Sequence, residues 1–497
     1  MAKIFNTKGS PFAKLSAEEE RDYLNEIFFK QQYYDTLVDL AEASASRFIL
    51  GQRGIGKSAV ILHLFEDMKK LRLLPILIDQ YDGFPGRNNK NYFLYSMIVR
   101  LTFELAECLM KDKSLKRKLT TTQRQQLGLY IEMFYDPVTA RHCVECAESI
   151  KSVRLKNKIK TFINNHLSIL NNVIGLVVKV GAELIRSYSG LGDVDISASG
   201  QQYLSELKLE SYKQVPREII VSWDSGRLKQ MLWNLRDMAI NLGNVSVVIM
   251  FDKIDEISGI NGQIEKVTSF MSDFLSDTNL LYSQNIAIVV SLWSEVKNSL
   301  NKQGIRFDKF KEIDIRWRDD ELIQMLNMRL RYFAINKENA PKFDTLISDK
   351  NQATEILTLA DKSPRSLFNL LGTILEEERT VGLIREFSMD ALTRGKLKYC
   401  KKFDYASAQP TRTGKNSDVL YWIARLLQMK SVTFSLNKYA EFYHVQSKTA
   451  FLHVQTLLKY NLIKDNIIPS ETGETVYKII DPRINYLITR GEVSLDV

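Results

Sequence analysis

Cysteine is scarce in this chain: Cys108, Cys143, Cys146 and Cys400 are the whole supply in 497 residues. So few thiols exclude a disulfide scaffold and fit a reducing cytosol. Cys143 and Cys146 form a C-x-x-C beside His142, but no second pair follows at zinc-finger spacing. Their flanks read as helix rather than as a redox βαβ unit, so a metal or redox role has only half its signature. A membrane-spanning run is missing as well. The most apolar stretch, Leu167 to Leu184, is interrupted by Asn171, Asn172, Lys179 and Glu183, and its unbroken part is far short of the ~20 residues that cross a bilayer. It reads as a buried helix or an oligomer contact. The first residues are polar and charged, without a secretory pattern, and no nuclease or protease signature occurs anywhere. These absences predict a cytoplasmic protein that does not enter a membrane.

What is present begins with charge. The chain carries 68 Lys/Arg against 59 Asp/Glu, a formal charge of +9, and 45% of its residues are hydrophobic. That balance is ordinary for a soluble protein, and the length suggests about three domains at roughly 150 residues each. The excess is uneven: from Ala391 to Val497 there are 16 Lys/Arg and 9 Asp/Glu. Two more basic runs comprise Lys111, Lys113, Lys116, Arg117, Lys118 and Lys151, Arg154, Lys156, Lys158, Lys160. Such runs form solvated helix faces, and they are equally what a polyanion such as nucleic acid requires.

The most specific motif is Gly51-Gln52-Arg53-Gly54-Ile55-Gly56-Lys57-Ser58. An apolar run, Phe48-Ile49-Leu50, precedes it and a helical pattern from Ala59 to Leu71 follows, which is the setting a phosphate-binding P-loop needs. Glycines let backbone N–H groups converge on phosphate, and the helix start adds its positive end. Lys57 is expected on the β- and γ-phosphates and Ser58 on Mg²⁺.

Completing such a site takes an acid at the end of a buried strand. Val245 to Phe251 is continuously apolar and runs into Asp252-Lys253-Ile254-Asp255-Glu256, so the acids fall at the carboxyl end, where ligands bind in parallel sheets. Asp252 is expected to serve the metal, and Glu256, or else Asp255, to take the proton of the attacking water. The run Ile286–Val290 ends in Ser291-Leu292-Trp293-Ser294; Ser291, with Ser294 behind it, is the candidate γ-phosphate contact, or simply a buried serine satisfying backbone groups. Arg306 is the candidate arginine finger for a neighbouring subunit, with Arg316 and Arg318 as competitors and a surface salt bridge as the plain alternative. Ser363-Pro364-Arg365 opens a helix whose leucines recur at 367, 370, 371 and 375; Arg365 would reach phosphate from there, or stand as an exposed arginine on a capped helix.

Taken together, Gly51–Ser58, the D-x-x-D-E turn at Asp252–Glu256, the serine-ending strand at Ile286–Ser291 and the Ser363-Pro364-Arg365 motif resemble P-loop ATPases of the AAA+ and STAND type. The likeness covers roughly residues 10–390. It implies an α/β fold: a P-loop NTPase parallel sheet with a helical insertion and a helical lid. It implies ATP and Mg²⁺ as ligands, hydrolysis, a conformational switch and a homo-oligomer. D-x-x-D-E is closer to the STAND branch, whose bacterial relatives serve defence or signalling; with no effector motif in this chain, the effector would be a separate protein. About 165 residues separate Asp79, after a second strand pattern at Pro75–Asp79, from Val245. That is too many for a minimal core, so a helical insertion near 105–212 is expected, ending in the small-residue loop Tyr188–Gly200.

Beyond the basic stretch 396–416, which reads as a linker, the pattern changes to that of a winged helix-turn-helix. Helix Asp418–Met429, strand Val432–Phe434, helices Leu436–Tyr443 and Ser447–Tyr460, and a wing turning near Glu471-Thr472-Gly473 are expected in that order. On DNA, Ser447, Lys448, Thr449 and Gln455 would face bases, with Lys464 and Lys478 near phosphates; intramolecular packing is the competing use. The expected division is thus a helical lead-in at 1–45, the ATPase core at 46–318, the lid at 319–395, the linker, and the winged helix at 417–497. The function expected is an ATP-hydrolysing switch answering a partner, nucleic acid first among them, or alternatively an ATP-dependent DNA-binding regulator or loader with little turnover.

Overall fold

The computed structural model describes residues 2–81, 87–134, 221–260, 262–379, 382–408, 418–466 and 475–496. Its centre is a five-stranded sheet, and the strands are numbered here along the chain. After a short β1 (Ala2–Ile4) come β2 (Arg47–Leu50), β3 (Leu73–Ile78), β4 (Ser246–Phe251), β5 (Ile286–Leu292) and β6 (Glu312–Asp314). These five run in the order β3-β4-β5-β2-β6, with every pairing parallel. β5, the strand that ends in Ser291 and Leu292, therefore lies between β2, which leads into the glycine loop, and the acid-bearing strand β4.

Alternation explains why these strands read as unbroken apolar runs. Successive side chains point to opposite faces, and both faces here are covered. Phe48, Leu50, Ile76, Val247, Ile249, Phe251, Ile288 and Val290 pack into one layer with the helices Asn89–Lys111, Ser225–Leu242 and Ile264–Leu275. Ile49, Leu77, Val248, Met250, Ala287 and Val289 face the other layer, with Tyr33–Glu42 and Lys57–Lys70.

A third core joins the elements that follow the sheet, among the described residues. The lid helices Asp319–Phe333, Lys350–Ala360, Pro364–Glu377 and Met389–Lys402 share one apolar cluster with the winged-helix elements. The latter are helices Val419–Gln428, Leu436–Phe442 and Ser447–Lys459 and the antiparallel sheet of β8 (Thr433–Ser435), β10 (Val476–Ile479) and β9 (Ile463–Asn466), in that spatial order. A final helix, Pro482–Thr489, capped by Asp481, follows the wing and had no counterpart in the sequence pattern.

Several expected boundaries move. The first 45 residues are not simply a helical lead-in: β1 pairs in parallel with β7 (Gly382–Ile384) of the lid, and Phe12 enters the lid core. The insertion does not begin at 105, because Leu105 is fully buried in the core-packed helix Asn89–Lys111. The stretch from Lys396 is not a linker at its start either: Lys396–Lys402 end a helix, and Lys396 itself is buried against Glu355 and Gln352. The C-x-x-C, the run Lys151–Lys160, Leu167–Leu184, Tyr188–Gly200, the end of the linker and the turn at Glu471–Gly473 lie outside the described residues. Among the described residues no helix is long and apolar enough to cross a membrane.

Candidate functional site

The sheet's carboxyl edge collects the expected chemistry because three adjacent strands end there. β2 leads into the glycine loop, where Gly54 and Gly56 take φ of 74° and 101°, left-handed values that favour glycine. A side chain at Gly54 would strike Ser363 Oγ at 2.9 Å, and one at Gly51 would strike Ile55 at 2.7 Å. The loop is thus closely covered, and Gly56 caps the helix Lys57–Lys70. Lys57 Nζ donates to the carbonyls of Gly51 and Gln52 at 2.9 and 2.8 Å. Burial holds its pKa down to about 8, against the pull of Asp255 and Asp252. A cation short of solvent in an anion-binding loop is a receptor for phosphate oxygens.

Ile49 pairs with Ser291 across β2 and β5, and Phe251 with Val290 across β4 and β5, which sets Asp252 level with Ser291. Asp252 is 4% exposed. Burial raises its carboxyl, and hydrogen bonds from Ser58 and Ser291 oppose that rise. The two expected metal ligands, Ser58 and Asp252, line the same cavity. Ser291, buried on β5, lies level with Asp252 and lowers its carboxyl pKa, and it is not among the residues that line the cavity. Tyr81, unforeseen in the sequence, donates to the Asp252 carbonyl at 2.9 Å.

The two later acids separate in environment. Asp255 accepts from Arg53 Nε and Nη2 at 3.2 and 3.0 Å. Glu256 is exposed, and its side chain makes no hydrogen bond among the described residues. Desolvation by the neighbouring protein and the charge of Asp255 raise its pKa. A free carboxylate with a raised pKa at a cavity rim is suited to accept a proton.

From above, the lid helix Pro364–Glu377 brings its N-terminus onto the loop. Ser363 Oγ caps Ser366 N–H and donates to the Gly54 carbonyl at 3.1 Å. Arg365 lines the same space, with Nε donating to the Leu15 carbonyl at 3.3 Å. The N-terminal segment closes another side: Lys253 pairs with Glu18 at 2.8 Å, and the buried Arg329 binds Glu20 and the carbonyls of Pro11 and Lys14. Together with Ser407 and Ala408 these elements enclose a cavity of about 500 Å³, within the range of small-molecule sites. A phosphate cradle, a lysine, a Ser–Asp pair and a free acid suit Mg²⁺-bound nucleoside triphosphate.

Arg306 is not brought to this cavity. It is exposed and paired with Asp308 at 2.6 Å, while Arg316 and Arg318 are exposed and bind Asp314 and Asp320. Sequence reading missed the N-terminal strap, Lys253–Glu18, Tyr81 and the reach of Arg53. A charged residue at a loop position that needs no particular side chain was the signal for the last.

No protein-family model matches the chain, and no curated protein matches it in sequence. Among solved structures it is similar to the Aeropyrum pernix ORC1 protein in complex with DNA, at 9% identity over 95% of this chain and 96% of that one, TM-score 0.38. It is also similar to the Aeropyrum pernix ORC2 protein in ADPNP-ADP complexes, at 11% identity over 97% and 95%, TM-score 0.38. A third is Cdc6p from Pyrobaculum aerophilum, at 12% identity over 96% and 95%, TM-score 0.31. Likeness of this degree leaves function to be argued from the site.

Proposed function

We propose that this protein is an ATP-hydrolysing switch of the AAA+/STAND kind, working as a homo-oligomer and passing its state to a partner. The observation that carries the reading is that Lys57, Ser58 and the buried Asp252 line one cavity beneath a glycine loop that the lid helix covers. In this reading Lys57 exchanges the carbonyls of Gly51 and Gln52 for phosphate oxygens. Ser58 and Asp252 hold Mg²⁺, which supplies neutralising charge to the phosphates when bound. Glu256 takes the proton of the attacking water, while Asp255 stays paired with Arg53. Arg365 faces the phosphates from the lid, so that lid position follows nucleotide state. Arg306 serves a neighbouring subunit's site by leaving Asp308, since its exposure makes it available to a second copy and not to its own cavity. The output then passes to a separate effector protein.

Replacing Glu256 with Gln tests the reaction. The variant is expected to bind Mg-ATP, to turn it over 10²–10⁴-fold more slowly, about the worth of a positioned base, and to accumulate as a nucleotide-bound oligomer. Turnover at the wild-type rate would show that another group is the base.

A second reading, a DNA-binding regulator with little turnover, draws on the exposed Ser447, Lys448 and Gln455 of the helix Ser447–Lys459. ATPase rate and particle mass measured with and without duplex DNA separate the two. Duplex binding that leaves turnover near zero favours the regulator; turnover and assembly that respond to nucleotide favour the switch.

A further inference from the structure

Arg53 occupies a loop position where the cradle needs only a backbone N–H, yet its side chain joins three parts of the molecule. Nε and Nη2 donate to Asp255, in the turn after β4. Nη1 donates to the Ser407 carbonyl at 2.9 Å. The guanidinium also lies over the Trp293 ring, 4.6 Å from its centroid, just past the end of β5. Ser407 belongs to the short helix Tyr405–Ala408, the last described element before the winged helix.

We infer that Arg53 is a positioning residue that reports nucleotide occupancy to the C-terminal module, by holding the Ser407 carbonyl until phosphate draws it away. The inference rests on the ATP-switch reading above. Its basis is the inequality of the three contacts. The bonds to Asp255 join a full positive to a full negative charge, whereas the bond to Ser407 joins the same cation to a neutral carbonyl. Stacking on Trp293 is compatible with a small slide of the plane. The bond to Ser407 has a neutral acceptor at an exposed edge, so it is the weakest of the set.

A triphosphate entering the cavity brings several negative charges to a space that Arg53, Lys57 and Ser407 all line. Arg53 Nη1 then has a charged acceptor in place of a carbonyl. Phosphate wins that exchange, Asp255 and Trp293 keep the rest of the guanidinium in place, and Tyr405–Ala408 loses its tether to the loop. The same arrangement occupies the Asp255 carboxylate with Arg53 rather than with the proton of an attacking water. Glu256 is left for that task.

Amide hydrogen exchange on the full chain tests the inference, with ADPNP and Mg²⁺ as the probe and fluorescence titration as the measure of binding. In the wild type, ADPNP is expected to speed exchange over residues 403–408 by about tenfold, a 1.4 kcal/mol change in local opening. Arg53→Gln should show that fast exchange without nucleotide and no further change with it, while its nucleotide affinity falls less than tenfold. Arg53→Lys keeps the charge without the fork, and should bind nucleotide while giving the same nucleotide-insensitive exchange. If the wild type binds ADPNP and exchange at 403–408 does not move, the inference is overturned and the ATPase reading stands. It is overturned equally if Arg53→Gln responds as the wild type does. A wild type that binds no nucleotide overturns the ATPase reading itself.

Discussion

With Lys57 Nζ bound to the carbonyls of Gly51 and Gln52, the glycine loop holds its cation where the proposed function needs phosphate to arrive. Those carbonyls stabilise the ammonium less than solvent did, which is why burial dominates its lowered pKa. In the proposed function, exchanging neutral acceptors for anionic ones gives binding its electrostatic gain. Lys57→Ala is accordingly expected to weaken Mg-ATP binding by at least tenfold, roughly 1.4 kcal/mol, in a calorimetric titration. Its thermal unfolding should change little or rise, since a desolvated charge is removed. Equal affinity in the variant would place the phosphates elsewhere.

One helix end does two jobs at the next scale up. Ser363 caps Pro364–Glu377 in the usual way, a hydroxyl accepting from an otherwise unpaired N–H. The same hydroxyl donates to Gly54, and Arg365 N–H approaches the Gly54 carbonyl at 3.4 Å. Lid and loop are therefore joined at the cap and not only through packed side chains. Ser363→Ala should cost the helix about 1 kcal/mol, read as roughly fivefold faster exchange of the amides in its first turn. Mg-ATP affinity should fall with it, whereas a cap with no part in the site would change exchange alone.

For the whole molecule, the question is what the basic C-terminal region, Ala391 to Val497, is for. From Asp418 to Val497 the chain has 9 Lys/Arg and 8 Asp/Glu, so the winged helix is nearly neutral and the excess lies just before it. Much of that excess is engaged within the fold: Lys396 on Glu355, Lys398 on Glu376 and Glu377, Arg394 on Asp390 and Lys401 on Glu492. The buried Arg483 binds Asp481 at 2.6 Å and Asp361 of the lid at 3.3 Å, and lies over Phe403. These contacts join the winged helix to the lid through one core. Removing one partner of a buried pair leaves the other without compensation, so Arg483→Ala should cost about 3–5 kcal/mol. A shift in the first urea-unfolding transition measures it; a shift under about 1 kcal/mol, the scale of an exposed pair, would mean the two modules are held by apolar packing alone.

Local chemistry made much of this legible in the sequence. Glycines at positions 54 and 56, a lysine and serine at the head of a helix, and acids at the end of an apolar strand have few other uses, and Lys57, Ser58 and Asp252 line one cavity. The winged-helix order was legible for a similar reason, since its periods and turns are short-range. What only the tertiary structure decided involves partners hundreds of residues apart. Lys253 with Glu18, Arg53 with Ser407, Ser363 with Gly54, and β1 with β7 leave no periodic trace, because each depends on which surfaces the cores bring together. The fate of the basic residues belongs there as well: a charge count cannot tell a cation facing solvent from one already bound to a carboxylate across a helix interface.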